Sequence, residues 1–191
     1  PAALTFREVF ALTSYRDRAL FAASQAGLVN NLNDGMSWGI FPLFFASFGL
    51  GVERIGILKA VYPATWGVLQ IATGPLSDRW GRKPVLVIGL ALFALGSIGC
   101  ALAESIAGLI FARALQGTGA VGSVAFAALA DLTRPSVRTQ AYTITGIAIG
   151  ASFMIGLLAG PLLAAHIGLS GLFYVLASLG FLSMILAASS V

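Results

Sequence analysis

Six long apolar runs, joined by loops too short to form anything of their own, decide most of what this chain can become. They occupy residues 20–48, 55–76, 85–103, 106–130, 141–165 and 171–188. A helix needs about 20 mostly apolar residues to cross a hydrocarbon core. Open strand edges in lipid would leave backbone groups unpaired, so every span is expected to be helical. The expected fold class is an all-α membrane protein, a six-transmembrane-helix bundle over residues 20–188, preceded by a polar segment at 1–19. Of 191 residues, 58% are hydrophobic and 9% charged. A soluble domain of this length has too little interior to hide that much apolar surface. Pro42, with Gly35 and Gly39, predicts a kink or tilt in the first span, and Pro63 the same in the second.

The basic residues orient the bundle. Arg7, Arg16 and Arg18 precede the first span, Arg79, Arg82 and Lys83 follow the second, and Arg134 and Arg138 follow the fourth. An even number of spans separates these segments, so all lie on one side, expected to be cytoplasmic. That predicts a multi-pass protein of a plasma membrane (the inner membrane in a bacterium), with its N-terminus in the cytoplasm and lipid around it. A net charge of +4 would suit nucleic acid, but these charges flank membrane spans, so no nucleic-acid partner is expected. Residues 1–18 lack the apolar core of a cleavable signal peptide. Cys100 is the one cysteine, so no intrachain disulfide forms. The sequence holds no metal-ligand cluster, nucleotide loop or nucleophile–base set, so neither a cofactor nor an enzymatic activity is expected.

The loop between spans 2 and 3 reads Gly74-Pro75-Leu76-Ser77-Asp78-Arg79-Trp80-Gly81-Arg82-Lys83-Pro84-Val85-Leu86. Its glycines permit a tight hairpin, and proline is tolerated in the first turn of the next helix. The run resembles the signature G-x-L-x-D-R-x-G-R-K-x-x-L of the major facilitator superfamily, with every fixed position filled. The resemblance implies half of a facilitator fold: a six-helix bundle of two inverted three-helix repeats. It also implies a conformational gate built from Gly74, Asp78, Arg79, Gly81, Arg82 and Asp131, in which Asp78 meets a helix N-terminus of the other half. A plain topology loop would need the basic residues but neither Asp78 nor the glycines.

Arg113 lies about 10 Å along span 4, counting 1.5 Å per residue from its start. A cation that deep is costly unless a cavity or partner receives it. Its setting, Arg113-Ala114-Leu115-Gln116-Gly117-Thr118-Gly119-Ala120, resembles the R-x-x-Q-G-x-G-A motif of the same superfamily. In its drug/proton antiporters that arginine is linked to proton transfer. The plainer reading is an arginine that snorkels and anchors the helix. Asp34 stands mid-span, and helical spacing puts Asn30, Asp34, Trp38 and Phe41 on one stripe. A carboxylate there suits binding and release of a proton, with Arg113 favouring the ionised form on approach. The alternative is an acid that locks helix packing through the nearby asparagines. Asn30, Trp38 and Gln116 are the candidate substrate-cavity residues.

In span 5, Gly146, Gly150, Gly156 and Gly160 are expected to permit close helix contact. Gly156, Gly160 and Pro161 form G-x-x-x-G-P, which resembles the superfamily's antiporter motif of the fifth helix. It departs from that motif at Ala164-Ala165 and at Gly146, one position off the expected spacing. The resulting expectation is a secondary transporter that moves a small solute by alternating access, with proton-coupled efflux as the leading form. Proton-coupled uptake, uniport and a non-transporting membrane subunit are the alternatives. Asp34 and Arg113 would couple protons. The remainder of the transporter is expected as a C-terminal six-helix half of the same chain, or as a second half-transporter copy. The ending at Val191 inside apolar sequence favours a cut before a central loop.

Overall fold

The computed structural model describes residues 5–119 and 121–191. Residues 1–4 of the N-terminal segment, and Ala120 of the motif beginning at Arg113, lie outside the described residues. A short helix α1, Phe6–Ala11, opens the chain and passes into a π-helical turn, Leu12–Arg16. Thr5 and Glu8 cap α1 reciprocally, a capping box that satisfies orphan N–H groups. Val9 packs with Leu20, Leu129, Ala141 and Ile144, so the N-terminal segment lies against the bundle. Asp17 then caps α2, Arg18–Ser47, its carboxylate accepting from the Ala19 and Leu20 amides at 2.9 and 3.0 Å.

The next elements are α3, Val52–Trp80, and α4, Arg82–Leu102. Helices α2 and α3 run on through Pro42, Pro63 and Pro75. The loop expected between spans 2 and 3 reduces to one residue, Gly81, whose φ of 90° a side chain would strain. Span 4, read as one helix, is two: α5, Ile106–Gly117, and α6, Gly122–Leu132. Tight packing at this break favours glycine. A Cβ on Gly117 would sit 2.7 Å from the Tyr62 carbonyl oxygen, and one on Gly119 2.7 Å from that of Gly89.

The last element, α7, spans Pro135–Ser190 and breaks at Gly168, where φ is 71°. The break divides it into two passes and gives the bundle six. Among the described residues four helical stretches are long and apolar enough to cross a membrane: Val52–Trp80, Arg82–Leu102, Ile106–Leu132 and Pro135–Ser190. Helix α2 falls short in hydropathy because Asn30, Asn31, Asn33 and Asp34 sit in its middle.

Packing rests on close backbone approach. Helix α2 lies chiefly against α7, and α4 against α7 and α5. At the α2–α7 crossing, Gly35 and Gly39 meet Phe153, Leu157 and Pro161, while Gly156 and Gly160 meet Leu32 and Met36. Small residues suit such a crossing, because lipid supplies no hydrophobic drive and dispersion must hold the helices. Gly146 and Gly150 differ from the expectation for span 5. Among the described residues nothing lies within 4 Å of a Cβ built on either, so neither meets a neighbouring helix of this chain there. Ile147, Ile155, Leu158 and Leu162 on α7, and Val68 and Ile71 on α3, are likewise exposed.

Candidate functional site

Three helices converge on Arg113. Its guanidinium is 1% exposed. Nη1 donates to Asn33 Oδ1 of α2 at 3.1 Å and to Gln116 Oε1 one turn along α5. Gln116 Nε2 donates to the same Asn33 oxygen at 3.1 Å and to Ser97 Oγ of α4 at 2.7 Å. Ser97 passes the chain on to the Phe93 carbonyl at 2.8 Å. The Tyr62 ring lies 4.5 Å from the guanidinium carbon and the Phe41 ring 5.3 Å. Among the described residues the ion pairs are those of Arg82. Amide oxygens and ring faces, not a carboxylate, receive this buried cation. Gln116, expected to face a cavity beside Arg113, is beside it but fully buried inside the bundle. Gly96 allows this: a Cβ there would collide with the Gln116 backbone.

Asp34 is half-buried and stands outside that network. It lines a cleft of about 100 Å³ with Asn30, Asn31, Tyr62, Pro63 and Trp66. Tyr62 Oη donates to Asn30 Oδ1 at 3.0 Å across the α2–α3 gap. The cations whose fields reach Asp34 are Arg113 and Lys59, and Trp38 stands beside it. The four stripe residues therefore meet different surroundings. Asn30 is 4% exposed and walls the cleft, Asp34 sits in it, Trp38 is 52% exposed and Phe41 is in the core. Lys59 of α3 lies with Nζ 3.4 Å from the Trp38 ring centroid.

A second constellation sits at the turn between α3 and α4. Arg82 Nε donates to Asp131 Oδ2 at 2.8 Å, while Nη1 donates to Ser77 Oγ at 2.7 Å and to Asp78 Oδ1. Arg82 thereby ties the ends of α3, α4 and α6 together. Ser77 in turn donates to the Gly74 carbonyl at 2.7 Å. Gly74 passes close to Ser123 of α6, and Arg79 is exposed and makes no ion pair among the described residues. Arg138 donates to the Ala130 carbonyl at 2.9 Å, closing the C-terminus of α6.

Asn33, Ser97, Tyr62, Lys59 and Ser77 were not foreseen as site residues. Asn33 alone carried a signal, a polar side chain one residue from Asp34. The others are ordinary helix residues until their partners are known.

A profile of the Major Facilitator Superfamily matches residues 24–190. The chain is 46% identical over 131 residues to the inner membrane transport protein YajR of Escherichia coli K12, covering 69% of this chain and 29% of that one. It is 33% identical over 156 residues to the class B tetracycline resistance protein of Escherichia coli, covering 77% and 38%. Against the multidrug resistance protein Stp of Mycobacterium tuberculosis the identity is 37% over 145 residues, covering 73% and 27%. In three dimensions it is similar to the peptide transporter POT crystallised with sulfate. The TM-score is 0.77 at 18% identity, over 98% of this chain and 41% of that one. The chain thus covers 27% to 38% of the length of these three curated relatives.

Proposed function

The chain belongs to the major facilitator superfamily, and we propose that it forms the N-terminal half of a proton-coupled exporter of a small solute. A second six-helix half would complete the cavity. The transporter would work by alternating access, rocking two bundles about a midplane site. Two relatives named for drug resistance support export.

The observation that carries the reading is how Arg113 is compensated. Amide oxygens hold it, leaving the half-buried Asp34 in an adjoining cleft without an ion pair among the described residues. Such a carboxylate can take a proton without breaking the polar core, and the arginine's field favours its release. Asp34 is the proton carrier in this scheme, Arg113 sets its balance, and Asn30 and Trp38 face the solute.

The experiment is solute-driven proton flux with the full-length protein in liposomes. Flux is expected to fall to the protein-free background in Asp34→Asn. Wild-type flux in that variant would place the coupling elsewhere.

Asp78, Arg82 and Asp131 form the gate on the cytoplasmic side, with the N-terminus on that side too. Both carboxylates are exposed, so their pairing with Arg82 adds little to stability. Asp78→Asn is expected to keep its melting temperature within about 2 °C while slowing transport. Unchanged turnover in a membrane assay would remove Asp78 from the gate.

A further inference from the structure

Lys59 has no part in the scheme above, yet it covers the most exposed side chain of the site. Its Nζ lies 3.4 Å from the centroid of Trp38, whose residue is 52% exposed. An indole face attracts a cation through its quadrupole. Trp38 and Asp34 stand at i+4 and i on α2, with Cβ atoms about 6 Å apart. The ammonium therefore rests on a ring whose helical neighbour is a carboxylate.

The other charged and titratable groups here are already engaged. Arg113 of α5 is held by Asn33 and Gln116, and Tyr62 of α3 by Asn30. Lys59 of α3 makes no hydrogen bond or ion pair among the described residues, and Asp34 is the titratable group whose charge reaches it. Its long flexible stem lets the ammonium relocate.

Resting on the reading of Asp34 as the proton site, we infer that the Trp38 indole face is the seat for a cationic ammonium group of the solute. Lys59 is its internal competitor, held on the seat while Asp34 is protonated and drawn to the carboxylate when Asp34 ionises. With the acid neutral, the indole is the best partner within reach, and Lys59 blocks the seat by bulk and by like charge. With the acid ionised, a direct charge pair outcompetes the cation–π contact. The ring is then free. Proton and solute thereby exclude one another without touching the same atoms, as an exchange cycle requires.

The test uses the full-length protein in detergent, with benzyltrimethylammonium as the probe and binding measured by titration calorimetry. Wild-type protein is expected to bind it about tenfold more tightly at about pH 8 than at about pH 5, the range in which a carboxylate away from bulk water changes charge. Lys59→Gln is expected to bind more tightly than wild type at about pH 5, where Lys59 would otherwise hold the seat, and Lys59→Arg to keep the wild-type profile. Trp38→Leu is expected to lose binding at both pH values.

A Lys59→Gln protein that binds no more tightly than wild type at about pH 5 overturns the competitor. Unchanged binding in Trp38→Leu overturns the seat. Asp34→Asn in the flux assay is read separately. Flux surviving it removes the proton site, whereas an unaltered Lys59→Gln profile removes the competitor and leaves the proton site standing.

Discussion

Gly156→Leu is expected to leave almost no folded protein to purify. A Cβ at 156 would stand 2.5 Å from the Leu32 carbonyl oxygen, 2.9 Å from the Met36 nitrogen and 3.3 Å from the Gly35 carbonyl carbon. All three are backbone atoms of α2, so no rotamer change can make room. The helices would have to separate, and α7 is the main partner of α2. Gly35, Gly39 and Gly160 make the same close approach along the same seam, so its loss would spread. Overpacking a tight core costs about 1–3 kcal/mol where side chains can yield. Against rigid backbone the cost should exceed about 4 kcal/mol, the range in which single changes unfold proteins. Gly146→Leu is the control in the same helix, since among the described residues nothing lies within 4 Å of its Cβ position. Size-exclusion profile and melting temperature in detergent decide the matter. A Gly156→Leu protein that elutes and melts like wild type would mean that the α2–α7 seam does not hold the bundle.

The same seam marks where sequence reasoning stops. Gly156, Gly160 and Pro161 stand in a recognisable packing pattern, but a pattern on one helix identifies a face and not its partner. Gly35 and Gly39 read as aids to bending until α7 is seen lying on them. The six passes were legible because each must be about 20 apolar residues long. The break between α5 and α6 was hidden because Gly117 and Gly119 keep the run apolar while matching backbone on α3 and α4. Asp34 and Arg113 stood out because a charge in mid-span is costly. Ser97 and Asn33, which support Arg113, carry no such cost and become visible only by contact. Lys59 sits close enough to a helix end to pass for a topology signal, and its contact with the Trp38 ring becomes visible only in the fold.

Arg113→Met is expected to abolish transport in a protein that folds as well as wild type, or better. The wild-type guanidinium is buried among amides and aromatic faces, and among the described residues its Nε has no hydrogen-bond partner. A buried charge bears a desolvation cost of several kcal/mol, and replacing it by an apolar side chain of similar volume is often neutral or stabilising. The loss on the other side is small. Asn33 Oδ1 keeps the Gln116 donor, and Gln116 Oε1 alone is orphaned, at about 1–3 kcal/mol. In the proposed scheme Asp34 would lose the neighbouring cation that helps it give up a proton, so the carrier would load and fail to unload. Arg113→Lys separates charge from shape. It keeps a cation but not the planar group that rests on Tyr62 while reaching Asn33 and Gln116, so it should recover only part of the flux. Melting temperature and flux per folded molecule are the two readouts. A sharp fall in melting temperature with flux per molecule preserved would make Arg113 a structural anchor and no part of the coupling.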